Sequence, residues 1–401
     1  MTTGLERPPL SAEEAGVLAL VDEELVVSMT RRLVRATGEN PPGQEAQTAA
    51  VLVALAEELG LAHSLTEVAP GRPNVTVTLP GAEGPGLLML GHTDVVPVGD
   101  GWSVEPFGAE VRDGRVYGRG TADMKGGLAA TLAAMSAIGR AGVALAGPLR
   151  LAALVDEEQL GIGVRRWVAE PPPDVTGCIV VEPTDLQTVT AARGDCYLVV
   201  TVHGRAAHAG QPDDGCNAIA GAAVVVAELE RWHAELAARA HPLVGAPTFS
   251  VGVVRGGVGP SVVPAECRLE VDRRLLPGER APDVLAAVRD RLEGLGLDER
   301  GLTWSVDAPM DMPGFETPAT DPFVATVDRA LAAGGGPGRP LGGWTAACDG
   351  GFVAAEWGVP VVVLGAGSVT EQAHRADESV AVDDLVVAAR AYTLAALRLL
   401  R

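Results

Sequence analysis

Between residues 11 and 36, Val17, Leu20, Val21, Leu25, Val26, Met29 and Leu33 recur at helical spacing. The pattern predicts one helix that stops at the breaker Gly38-Glu39-Asn40-Pro41-Pro42-Gly43. A second helix is expected over 45–59, ending at Gly60, and residues 74–79 alternate as a strand. The short apolar run at 87–90 suits a strand buried on both faces, as do 149–155 and 178–181. An uncharged run at 126–139 reads as a buried helix. Strands alternating with helices predict an α/β fold, a mostly parallel sheet covered by helices.

The pattern then changes. Residues 197–202, 249–254, 267–274 and 302–306 read as strands, 218–238 and 282–292 as helices. Their order, βαββαβ, is the ferredoxin-like α+β arrangement, and it predicts an inserted domain. The division expected is 1–192 for the first part of a catalytic domain, 193–306 for the insert, and 307–401 for the second part. That second part holds a helix at 322–333, a buried strand at 359–364 and a final helix at 383–400.

At 401 residues the chain exceeds what one hydrophobic core commonly serves, which agrees with two domains. A net charge of −21 argues against a nucleic-acid partner and against an anionic membrane surface. The uncharged runs at 126–139 and 357–370 fall short of the roughly 18 residues a membrane span needs. The opening MTTGLERPPLSAEE lacks a basic segment followed by an apolar one, so no secretory signal is expected. The five cysteines include no CxxC pair and suit free thiols in a reducing compartment, hence a cytoplasmic location. Among 31 basic residues the only lysine is Lys125, inside TADMKGG.

Chemistry gathers where the strands end. His92 and Asp94 follow one strand; Asp156, Glu157 and Glu158 follow another; Glu182 follows a third. Asp123 precedes the buried helix, and His374 lies one short loop past the strand at 359–364. Ligands in open α/β sheets sit outside the carboxyl ends of strands. The set holds more acids and imidazoles than the roughly four ligands of a tetrahedral zinc. It suits two divalent ions about 3.5–4 Å apart that share a carboxylate. A general base is also needed, and spacing alone does not separate Glu157 from its neighbours Asp156 and Glu158.

GHTDVVP, YGRGTADMKGG, DEE, VEPTD and the late His374 together resemble one dinuclear metallohydrolase family. Its members include acetylornithine deacetylase, succinyl-diaminopimelate desuccinylase, aminoacylase and glutamate carboxypeptidase. The likeness runs from about residue 40 to 383. It implies two Zn2+ ions, with Co2+ or Mn2+ as substitutes: His92 and Glu182 on one, Glu158 and His374 on the other, Asp123 bridging. It further implies that Asp94 fixes the His92 tautomer, that Glu157 is the general base, and that a cis peptide follows Asp123. The insert would be a lid and dimerisation domain. From it, His208 would reach the active site of the partner subunit in a homodimer and stabilise the oxyanion, and Arg274 would grip a substrate carboxylate. Ser261 stands where many relatives have Asn, and the backbone around Gly367 would approach the substrate. The resemblance implies hydrolysis of the amide of an N-acyl amino acid, with a dipeptidase or glutamate-type carboxypeptidase as the alternative. A non-catalytic binder of amino-acid derivatives is the reading of another class.

Overall fold

The computed structural model describes residues 9–401. The first eight residues, which carry most of the segment read for a secretory signal, lie outside the described residues. Two compact units emerge, one of residues up to Thr190 with Glu316–Gly343 and Phe352–Arg401, the other of Ala191–Phe315 with Trp344–Gly351. The octapeptide Trp344–Gly351 thus groups with the second unit, although its position in the chain assigns it to the first.

In the first unit the strand Gly86–His92 is buried along its whole length. Leu149–Leu154 and Val175–Val180 flank it in parallel, and Val361–Val363 lies parallel to Val175–Val180. Antiparallel strands extend this core: Arg72–Leu79 beside Leu149–Leu154, and Ala62–Ala69 beyond it. The sheet is therefore parallel at its centre and antiparallel toward the rim. The helix Gly126–Ala141 is buried from Gly126 to Ile138. Its small residues permit that depth: a Cβ on Gly127 would come within 2.2 Å of the Val181 carbonyl oxygen.

Several elements differ from the pattern. The expected N-terminal helix is two, Ala12–Leu18 and Glu23–Arg35, each with its own cap. Ser11 forms a capping box with Glu14, and the Asp22 side chain accepts the Leu25 N–H, so the second helix starts afresh although the apolar spacing continues. A strand at Ala62–Ala69 and a helix at Ile162–Val168 were not expected; the first is mostly exposed and the second is only seven residues long.

The second unit contains a four-stranded antiparallel sheet. In space the strands run Thr248–Gly256, Glu266–Leu275, Gly194–His203, Thr303–Met312. With helices Ala218–Leu236 and Ala281–Glu293, this is the ferredoxin-like topology. Among the described residues no helix is long and apolar enough to cross a membrane.

Candidate metal centre

Parallel pairing decides where the acids and imidazoles go. Register sets His92 opposite Leu154 and Leu90 opposite Val180. The residues that follow these strands, Asp94, Asp156 to Glu158 and Glu182, therefore leave the sheet at one edge. Val363 is level with Val180, so the loop toward His374 leaves there too. Asp123 arrives from a turn of π-helical hydrogen bonding, Thr121–Lys125, that leads into the buried helix. The Asp123–Met124 peptide is cis.

The side chains converge in two groups that share one residue: His92, Asp123 and Glu182, and Asp123, Glu158 and His374. His92 Nε2 lies 3.0 Å from Asp123 Oδ1 and 3.4 Å from Glu182 Oε1. On the other side His374 Nε2 is 3.3 Å from Asp123 Oδ2 and 3.1 Å from Glu158. Each Asp123 oxygen thus faces a different imidazole, the disposition of a bridging carboxylate.

Electrostatics within the cluster are strained in a way that a cation relieves. Burial and the neighbouring Asp123 push Glu182 up to about 8, and the same two causes raise Glu158. Burial opposes a charge on His92, yet Glu182, Asp123 and Glu157 outweigh it and hold its pKa well above the ordinary value. Hydrogen bonds that His374 donates to Asp123 and Glu158 raise it to about 10. Asp123, despite burial, is held low by the two imidazoles. Protons do here what divalent ions do better, and binding such ions displaces them. One more observation fits: Glu182 Oε2 is buried without a hydrogen-bond partner, an acceptor left over for a ligand bond.

Surrounding groups hold this arrangement. His92 Nδ1 donates to the backbone carbonyl of Asp94 at 2.9 Å, while the Asp94 carboxylate stays 3.6 Å away. Main chain and carboxylate of Asp94 thus both face the same imidazole nitrogen. The carboxylate also accepts the N–H groups of Glu157 and Glu158, both at 3.2 Å, and the Asn40 amide at 2.9 Å. Asn40 also donates to Asp156, which pairs with Arg72 at 2.6 Å, and Arg72 pairs with buried Glu45. Asp156 sits at φ 71, a left-handed conformation that Asp tolerates better than most residues. Its other oxygen accepts from Leu160 and Ile162. Gly367 (φ 87) packs so near Ala122 that a Cβ would lie 2.9 Å from the alanine's Cβ.

The other three candidates lie on the second unit. His208 and Ser261 are exposed and adjacent: Ala209 N–H donates to the Ser261 carbonyl at 2.9 Å, and His208 bridges Val262. Arg274 is half-buried and engaged, with Asp272 at 2.9 Å and Asp195 at 3.1 Å. Its neighbour Arg273 is fully buried, with Glu279 at 2.9 Å. Alternation along the strand explains their opposite environments.

Residues 88–398 match peptidase family M20/M25/M40. The chain belongs to that family. An acetylornithine deacetylase of Proteus mirabilis is 33% identical over 313 residues, covering 77% of this chain and 78% of that relative. Two solved structures share the fold. A tripeptidase of Staphylococcus aureus is 24% identical, with a TM-score of 0.75 over 94% of this chain and 99% of that one. The dipeptidase Dug1p of Saccharomyces cerevisiae is 14% identical, with a TM-score of 0.76 over 97% and 99%. As a member of the M20/M25/M40 family, the chain is a metal-dependent amide hydrolase.

Sequence reasoning passed over Asn40, Glu45, Arg72, Arg119 and Glu378. Arg119 was in view within YGRGTADMKGG, and Glu378 follows His374 by four residues; neither residue type is a signal by itself.

Proposed function

We propose that this chain is a cytoplasmic dizinc deacylase that frees an amino acid from its N-acyl derivative. The observation that carries the proposal is the shared carboxylate, with one Asp123 oxygen in each three-residue group. His92, Asp123 and Glu182 would hold one cation; Asp123, Glu158 and His374 the other. Bound there, the pair supplies Lewis acidity toward the scissile carbonyl and makes water a nucleophile near neutral pH. Glu157 takes the proton of the attacking water and returns it to the departing amine. Asp94 keeps Glu157 and Glu158 in place through their backbone N–H groups. In a homodimer, His208 would donate to the oxyanion in the neighbour's site. Arg274 would receive the substrate carboxylate in competition with Asp195 and Asp272, with Ser261 and the Gly367 backbone completing the grip. The acyl-amino-acid reading draws on the deacetylase relatives, zinc on the mixed imidazole and carboxylate donors, and the cytoplasm on the free cysteines.

Release of free amine from a panel of N-acyl amino acids and dipeptides, with and without chelator, tests the proposal. Chelator-sensitive turnover of acyl amino acids above dipeptides is the expected result. Preference for dipeptides would move the chain to the peptidase alternative, and turnover indifferent to chelator would sink the mechanism.

A further inference from the structure

We propose that the buried pair Arg119–Glu378 is a positioning device for the bridging carboxylate, tying together the three loops that carry His92, Asp123 and His374. The inference rests on the dinuclear reading above. Glu378 Oε1 accepts two backbone N–H groups, from Ala122 at 2.9 Å and from Asp123 itself at 3.1 Å. They open the turn that presents Asp123, and Glu378 supplies the acceptor for them as a capping residue does at a helix start. Its other oxygen receives Arg119 Nη1 at 2.7 Å, and the two side chains are 3% and 0% exposed.

Arg119 reaches further. Nη1 also donates to the Arg375 carbonyl at 3.2 Å, one residue past His374, and Nη2 donates to the Val98 carbonyl at 3.3 Å. The guanidinium lies 5.2 Å from the centre of the Trp102 ring. Ser103 in turn binds Asp377 through its N–H and its hydroxyl, both at 2.8 Å. The segment after Asp94, the turn at Asp123 and the segment after His374 are thereby joined through one guanidinium and its carboxylate. A buried carboxylate beside Asp123 is tolerable only with its cation, and losing either partner leaves an uncompensated charge against the bridging ligand.

Neither residue touches the reacting atoms, so the reading to follow is cation binding. Chelator-stripped native chain, Glu378→Ala, Arg119→Met, Glu378→Gln and Glu14→Ala are titrated with Co2+ and with Zn2+ by calorimetry, and each is unfolded in denaturant. Glu14→Ala removes an ion pair of similar length, 2.6 Å to Arg398, whose residues serve none of the three loops. The native chain is expected to take two equivalents. Glu378→Ala and Arg119→Met should bind at least one of them about 10–100-fold more weakly. Glu378→Gln, nearly isosteric and still able to accept both N–H groups on its amide oxygen while losing the charge that faces Arg119, should recover part of that loss. Glu14→Ala should lose stability alone. The inference is overturned if Glu378→Gln and either larger substitution bind both cations with native affinity, or if Glu14→Ala weakens them equally. A native chain that takes fewer than two cations would bring down the dinuclear reading first, and this one with it.

Discussion

Asp94 shows how one side chain and its own main chain can brace two neighbours at once. Its carbonyl accepts His92 Nδ1 at 2.9 Å, its carboxylate stands 3.6 Å from the same nitrogen, and that carboxylate also braces the Glu157 and Glu158 backbone. Asp94→Ala is accordingly expected to lower kcat by roughly 10–100-fold, with His92 still oriented. The check is turnover at full metal loading, and an unchanged kcat would return Asp94 to a passive role. Glu157→Ala makes a sharper demand. Removing a general base typically costs about 10²–10⁴-fold, and both cations should remain bound, since Glu157 is in neither ligand group. Metal analysis beside kcat separates that outcome from simple loss of the site. The candidate ligands were legible because their residue types and motif order are local properties. The partners of Asp94 were not, being set by main-chain atoms that any residue could supply.

The long buried elements followed the apolar pattern, while the short buried strand Val189–Ala192 did not stand out in it. Gly86–His92, Leu149–Leu154 and Gly126–Ala141 stand within a few residues of where periodicity put them. Ala62–Ala69 escaped notice since a largely exposed rim strand carries no apolar run. The split of the first helix escaped because caps, not periodicity, end helices. Close packing of the buried helix on the strand that ends before Glu182 leads to a test at this scale. Gly127→Ala would force the Val181 carbonyl, one residue before Glu182, to shift. Overpacking of this kind typically costs about 1–3 kcal/mol, to be read from the denaturant midpoint. A midpoint equal to that of the native chain would show that the helix can slide.

For the molecule as a whole, charge is the property with the widest reach. Asp195 in the second unit is 4% exposed, and burial raises it to about 7 although Arg274 pulls the other way. The native state then keeps a proton that the unfolded chain releases near the ordinary 3.8. Stability should therefore fall as pH rises through that window and level off above about 7. Asp195→Asn, which carries no titrating proton, should flatten the slope between pH 5 and 7 in denaturant unfolding. A variant with the native slope would assign the dependence to other groups.

Sequence alone determined the alternation of buried strands and helices, the inserted βαββαβ unit, and the acids and imidazoles that await a cation pair. Those are written in periodicity and in donor chemistry, which neighbouring residues carry without help. Only the tertiary structure decided which oxygen faces which imidazole, and that Arg119 meets Glu378 across 259 positions of chain. Contacts of that range depend on how finished elements pack, and no local pattern encodes them.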